Sequence, residues 1–233
     1  MLNLKETVIL GQDAKRVEVL TRVSTRARRI TVRVSAQSGV ELVIPKRVSL
    51  KKAMDFLYSK EDWILHKKSL TPEAVPFKDG AEIPIQGKIY TIRHSGELRG
   101  ITHIEGRELI VSGPKNSIER KVQTFLEEMA KKKITARANI EAEKLGVQYS
   151  RITIRDTTTR WGSCSASRAL SFSWRLIMAP KEVLDYVAAH EIAHIREMNH
   201  SKKFWNIVAK LYPNYNKARQ WLRDQGSTLY VYG

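Results

Sequence analysis

Two histidines four residues apart, His190 and His194, with Glu191 beside the first, constrain this chain more than anything else in it. On an α-helix, residues i and i+4 project from one face, one turn apart. Both imidazoles can therefore reach a single ion at the ~2.0–2.1 Å of a zinc–nitrogen bond. Glu191 lies one residue round from His190, away from the easy third-ligand position. It is placed instead to hold a water at the metal, the general-base role in H-E-x-x-H. The pattern demands a helix, and the flanks supply one. Pro180 suits a helix start, and Glu182 and Asp185 sit near its positive end. Val183, Leu184, Val187, Ile192 and Ile195 are apolar, and Ala188, Ala189 and Ala193 are small. Such a helix is buried and closely packed. Unpartnered histidines on a buried helix are costly, and a metal removes that cost.

Downstream, Asn199 tolerates a left-handed turn, and His200 follows it directly. Ser201 then caps a second helix that begins at Lys202. A chain turning back there carries His200 toward the first two histidines. Three protein ligands with a fourth position for water is the open arrangement of a catalytic zinc.

The segments Arg160-Trp-Gly-Ser-Cys-Ser165 and His190-Glu-x-x-His194-x5-His200-Ser-x-x-Phe-Trp205 resemble the YgjP-like zinc metallopeptidases. That family is similar, more distantly, to the SprT-like and WLM proteases, which act on proteins attached to DNA. The resemblance implies one zinc ion per chain, with His190, His194 and His200 as ligands and Glu191 as base. It also places the 160–165 run in the surroundings of the active site. The spacing matches the metzincin pattern H-E-x-x-H-x-x-G-x-x-H as well, but Glu197 stands where that pattern has glycine. The sharp turn there needs a residue free of a side-chain clash, which disfavours the metzincin assignment.

The chain has 233 residues, enough for one large domain or two modest ones. No run of ~18 apolar residues is present, so no membrane span is expected. Residues 1–8 lack the basic start and apolar run of a secretory leader. Cys164 is the one cysteine, which excludes an internal disulfide framework and a cysteine ligand set. A reducing cytoplasm is the expected location. The formal net charge of +17 is spread over both halves of the sequence. It reads either as a soluble basic surface or as attraction to nucleic acid, nucleotides or acidic substrates. Clusters such as Arg26-Ala-Arg-Arg29 carry no interleaved aromatics and suit phosphate contact rather than base reading.

Alternation predicts strands at 17–23, 30–34 and 40–44, with a hairpin at Gly39 between the last two. Pro45 ends the sheet, and Ser49 opens a helix running to Ile64. Residues 69–80 read as a loop. Strands at 88–93 and 108–111, then Pro114 and a long helix, look like a weak repeat of the first strand–helix unit. The long helix, 116–145, stops at Gly146. Strands follow at 151–155 and 170–176, then the metal helix from Pro180 and helices at 201–211 and 214–225. The expected fold class is α+β. A β-rich, mainly antiparallel N-terminal domain with one helix (1–114) would precede a zincin-like C-terminal domain (115–233).

Around the centre, Gly162 permits a close backbone approach suited to a substrate-facing strand edge. Arg160 either steadies an anionic group or pairs with an acid, and Trp161 is either a pocket wall or core. Cys164 reads as a packing residue. His66, His94 and His103 read as ordinary surface or partner-satisfied residues. Phe204, Trp205, Trp221 and Leu222 read as support for the metal helix. The leading expectation is a zinc-dependent peptidase acting on peptide or protein substrates. Its rivals are a metal-dependent nucleotide phosphohydrolase and a nucleic-acid-binding protein with a vestigial metal site.

Overall fold

Strand-forming runs rich in Val and Ile come early in this chain, and each set of four builds its own sheet. The computed structural model describes residues 6–12 and 16–233. Residues 1–5, part of the stretch read as lacking a leader, lie outside the described residues. The described chain forms two compact units divided between Ala74 and Val75.

In the first unit, β1 (Thr7–Leu10), β2 (Val17–Ser24), β3 (Thr31–Ser35) and β4 (Gly39–Pro45) assemble in the order β1-β2-β4-β3. The β2–β4 pairing is parallel and the other two are antiparallel. The helix expected to run unbroken from Ser49 is two helices, α1 (Leu50–Tyr58) and α2 (Glu61–Ser69), separated at Ser59 and Lys60. Ser49 caps α1 by accepting from the Lys52 amide. Leu57 and Ile64 of the helices join Leu10, Val19, Val40, Leu42 and Ile44 of the strands in one core.

The second unit repeats the first sheet's topology. Its strands β5 (Glu82–Ile85), β6 (Lys88–His94), β7 (His103–Glu105) and β8 (Glu108–Val111) run in the order β5-β6-β8-β7, again with the middle pair parallel. The repeat extends to an ion pair. Arg22 on β2 bridges Glu41 on β4, and Arg93 on β6 bridges Glu108 on β8. In each case the arginine stands two residues beyond the residue registered opposite the glutamate. The strand–helix repeat suggested by the sequence is thus a repeat of a whole sheet.

The helix α3 (Ile118–Leu145) follows, with a buried stripe at Ile118, Val122, Leu126, Ala130, Ile134, Ala138 and Ala142. It ends at Gly146, which adopts the left-handed φ of 64° expected of a capping glycine. Then come β9 (Arg151–Arg155), β10 (Gly162–Cys164) and β11 (Ala169–Ser173), a three-stranded sheet ordered β10-β11-β9. The strand expected over 170–176 ends at Ser173 and continues as a 3₁₀ turn, Trp174–Ile177. Last are α4 (Lys181–Ala193), α5 (Lys202–Leu211), α6 (Tyr215–Gln225) and a 3₁₀ segment, Gly226–Val231. The α+β class is as expected.

The domain boundary expected after residue 114 falls instead after Ala74. The 82–111 sheet shares its core with the C-terminal helices, since Ile83, Ile92, Leu109 and Val111 lie in one cluster with Leu126, Leu176 and Val187. Its β5–β6 hairpin also props the start of α4. Gln86 and Gly87 form a two-residue turn at φ 49° and 73°. Their amides donate to the carbonyls of Ile177 (2.7 Å) and Met178 (3.4 Å). Among the described residues no helix is long and apolar enough to cross a membrane.

Candidate metal centre

The metal helix is buried almost all round, as its small and apolar residues require. Ala188, Ala189, Ile192 and Ala193 are fully buried, and α4 packs on α3, α5, α6 and β10. α4 ends at Ala193 without a left-handed turn at Asn199. Asn199 works through its side chain instead, its Oδ1 accepting from the Ser201 amide at 3.0 Å. Ser201 in turn accepts from the Phe204 amide and starts α5. This tight reversal brings His200 back over α4. The Nε2 atoms of His190 and His200 are 3.1 Å apart, and one ring nitrogen from each of His190, His194 and His200 lies within 4.8 Å of the other two.

These residues fit a metal. A tetrahedral zinc with bonds of about 2.1 Å spaces its ligand nitrogens ~3.4 Å apart, close to the His190–His200 separation. The second ring nitrogens of two of the three are also engaged. His194 Nδ1 donates to the Glu197 carbonyl at 3.0 Å, which leaves Nε2 with its lone pair in the neutral ring. The Tyr186 hydroxyl lies 3.4 Å from His190 Nδ1. Burial, reinforced by His194 and His200, pushes His190 down to about 3, and burial also lowers His194. Both are therefore neutral at physiological pH, the form that binds a metal. Phe204, fully buried, is the floor of the cluster, its ring stacked on His194 with centroids 4.4 Å apart. Trp205 lies edge-on to His190 and under the Arg219 guanidinium.

Glu191 is buried on α4, and its Oε2 has no hydrogen-bond partner. Burial raises its carboxyl to about 8, against the pull of the Arg160 charge. An orphaned carboxyl oxygen on the residue that follows His190 suits a group that handles a water.

The 160–165 run, expected near the centre, is the edge strand β10 and the residues before it. Gly162 does approach another group closely, but that group is Glu191: a Cβ there would stand 2.5 Å from Glu191 Oε1. Trp161 is half-buried and turned to the C-terminal 3₁₀ segment, stacked on Tyr230 (centroids 5.1 Å) and packed against Gly226. Arg160 is exposed, and its charge reaches Glu191. Cys164 faces the same surroundings. Burial, with Glu191, lifts its thiol to about 11, which keeps it protonated and unreactive. His94 Nε2 donates to the Gly113 carbonyl and His103 Nδ1 to that of Ile101, so neither belongs to the centre.

Two supporting residues escape a reading of the sequence. Tyr186 stands one turn before His190, a spacing that could have flagged it, while the Glu197 carbonyl leaves no mark in a side-chain pattern.

The family model described as "YgjP-like, metallopeptidase domain" matches residues 28–225. Among solved structures, the metallopeptidase zymogens abylysin of Pyrococcus abyssi and jannalysin of Methanocaldococcus jannaschii are each similar at 21% identity. Each match covers 40% of this chain and 95% of theirs, with a TM-score of 0.36. Comparison with curated proteins gave no match.

Proposed function

The chain belongs to the YgjP-like metallopeptidase family, and we propose that it cleaves peptide bonds with one zinc ion held by His190, His194 and His200. Glu191 is the general base. The observation that carries this reading is the convergence of three imidazoles with a buried carboxyl group, one oxygen of it unpartnered, on one helix and the turn after it. When bound, zinc supplies Lewis acidity, bringing the pKa of a water down toward ~7 and polarising the scissile carbonyl. Glu191 takes the proton of the attacking water and passes it to the leaving amine. A carboxyl whose burial lifts it toward neutrality exchanges a proton in both directions at low cost. Burial of the carboxylate also excludes competing solvent. The outer edge of β10 is unpaired in its sheet and accepts the substrate main chain as an added strand. Arg160, exposed beside it, supplies positive charge toward developing negative charge.

Metal analysis with peptide-library and casein turnover tests the reading. His190→Ala, His194→Ala and His200→Ala each strip the zinc. Glu191→Gln keeps the zinc and loses about 10²–10⁴-fold in turnover. A chelator abolishes activity and zinc restores it. Near-wild-type turnover by Glu191→Gln would remove Glu191 from the mechanism. The nucleotide and nucleic-acid readings draw no support from the family match. DNA binding at ~50 mM salt whose log–log salt slope shrinks on neutralising Arg26, Arg28 and Arg29 would revive the latter.

A further inference from the structure

Glycine at position 162 has no local explanation. Its backbone lies outside the left-handed region, so any L-residue could adopt it without strain. It pairs in register with Phe172 on an ordinary antiparallel ladder. What excludes a side chain is Glu191. The three atoms nearest an added Cβ are Glu191 Oε1 at 2.5 Å, Cγ at 2.7 Å and Cδ at 2.8 Å. These separations are far inside van der Waals contact, and the α4 backbone is not among them. The Glu191 carboxylate fills the space that a side chain at 162 would take. Its Oε2 is buried and has no hydrogen bond to the protein, so the packing of Oε1, Cγ and Cδ against position 162 is the contact that locates the group.

The wall behind Gly162 is itself held. The Trp161 carbonyl accepts from the Ser173 amide at 2.9 Å, and its ring stacks on Tyr230 and packs against Gly226. Tyr230 donates its hydroxyl to the Thr157 carbonyl at 2.9 Å. Arg175, buried, donates to the carbonyls of Leu229 and Tyr232 and bidentately to Asp156. One cation thus ties the C-terminal 3₁₀ segment to the loop that leads into β10.

We propose that Gly162 is a positioning residue for Glu191: its missing side chain is the niche that holds the carboxylate at the histidine cluster, and Trp161, clamped on the C-terminal segment, keeps that niche against α4. The role rests on the reading of Glu191 as base, while the niche itself can be tested without it.

Four full-length proteins decide the matter: wild type, Gly162→Ala, Glu191→Ala and the double variant. Thermal midpoints are measured metal-free. Zinc content and the kcat and KM of a cleaved fluorogenic peptide are measured after reconstitution. Gly162→Ala should lower the midpoint by about 3–10 °C through overpacking. In the Glu191→Ala background the same change should leave it within ~1 °C or raise it, because the obstruction is gone and Ala restricts the unfolded chain. Gly162→Ala should keep its zinc and its KM within about twofold, and lose at least about tenfold in kcat. A single variant too unstable to purify beside a well-folded double variant supports the niche as coupled midpoints do. An equal drop in both backgrounds would overturn the niche. Coupled midpoints with kcat untouched by Gly162→Ala, while Glu191→Gln abolishes it, would overturn the positioning role. Coupled midpoints with full turnover by Glu191→Gln would leave the niche standing and sink the base.

Discussion

Tyr186 and the Glu197 carbonyl hold the outer nitrogens of two of the three clustered histidines, and they do so by different means. Tyr186 is buried, with its hydroxyl 3.4 Å from His190 Nδ1. Removing that oxygen leaves the ring in place and the imidazole free to turn. Tyr186→Phe should therefore weaken zinc binding by about tenfold, the low end for an outer-shell partner at a long contact. Competition with a chromophoric chelator reads the change, and unaltered affinity would take the hydroxyl out of the centre. His194 leans on main chain, so Glu197→Ala should leave zinc affinity within about twofold, because the accepting oxygen survives the change. A loss approaching that of a ligand variant would instead make the Glu197 side chain part of the site. The contrast also explains why the residue in the metzincin glycine position can be a glutamate. What position 197 supplies is its carbonyl, and its φ is not in the left-handed region.

Elements in the second unit are placed by what they lean on. The β5–β6 hairpin touches α4 through the turn at Gln86 and Gly87, and an added Cβ at Gly87 would meet Pro180 Cα at 3.1 Å. Gly87→Ala faces both a left-handed backbone and that contact, so it should destabilise by about 2–4 kcal/mol. Urea unfolding measures this, and a loss under ~0.5 kcal/mol would mean that the hairpin does not bear on α4. The first unit carries a sheet of the same strand order, pairing and ion-pair placement. The two exposed ion pairs themselves contribute little, on the order of 0.2–1 kcal/mol each.

The second unit as a whole is closed by one buried cation. Arg175 is 3% exposed, and its guanidinium makes four hydrogen bonds to Asp156, Leu229 and Tyr232 while stacking over Trp174. No other side chain supplies a planar fork that satisfies a carboxylate and two carbonyls together. Arg175→Met should lower stability by about 3 kcal/mol, the low end for breaking a buried pair, because Asp156 is half-exposed and can hydrate. Arg175→Lys should recover only part of that. Chemical denaturation compares the two, and a lysine variant as stable as wild type would show that charge alone, without the fork, closes the unit.

Local spacing is enough to specify most of the helices and the centre built on them. A helix brings i and i+4 together by its own geometry, so His190, His194 and the burial of α4 are written in the order of residues. The Asn199–Ser201 reversal is short enough to return His200 as well. The Val- and Ile-rich alternation at 17–23, 40–44 and 151–155 and the glycine at 146 are legible for the same reason: each signal is complete within a few residues. The remaining features come from contacts between distant parts of the chain. β5 carries Pro84, which speaks against a strand, and it pairs because β6 stands beside it. β7 and β10 are three residues each, too short to show a period, and exist because β8 and β11 offer them a ladder. The break between α1 and α2 and the boundary after Ala74 follow from which apolar faces share a core, a choice made among partners far apart in the chain. Gly162 shows the division most sharply. Its identity is plain in the sequence, but the group that needs the space is Glu191, on a different element, and no local pattern encodes a contact that only folding creates.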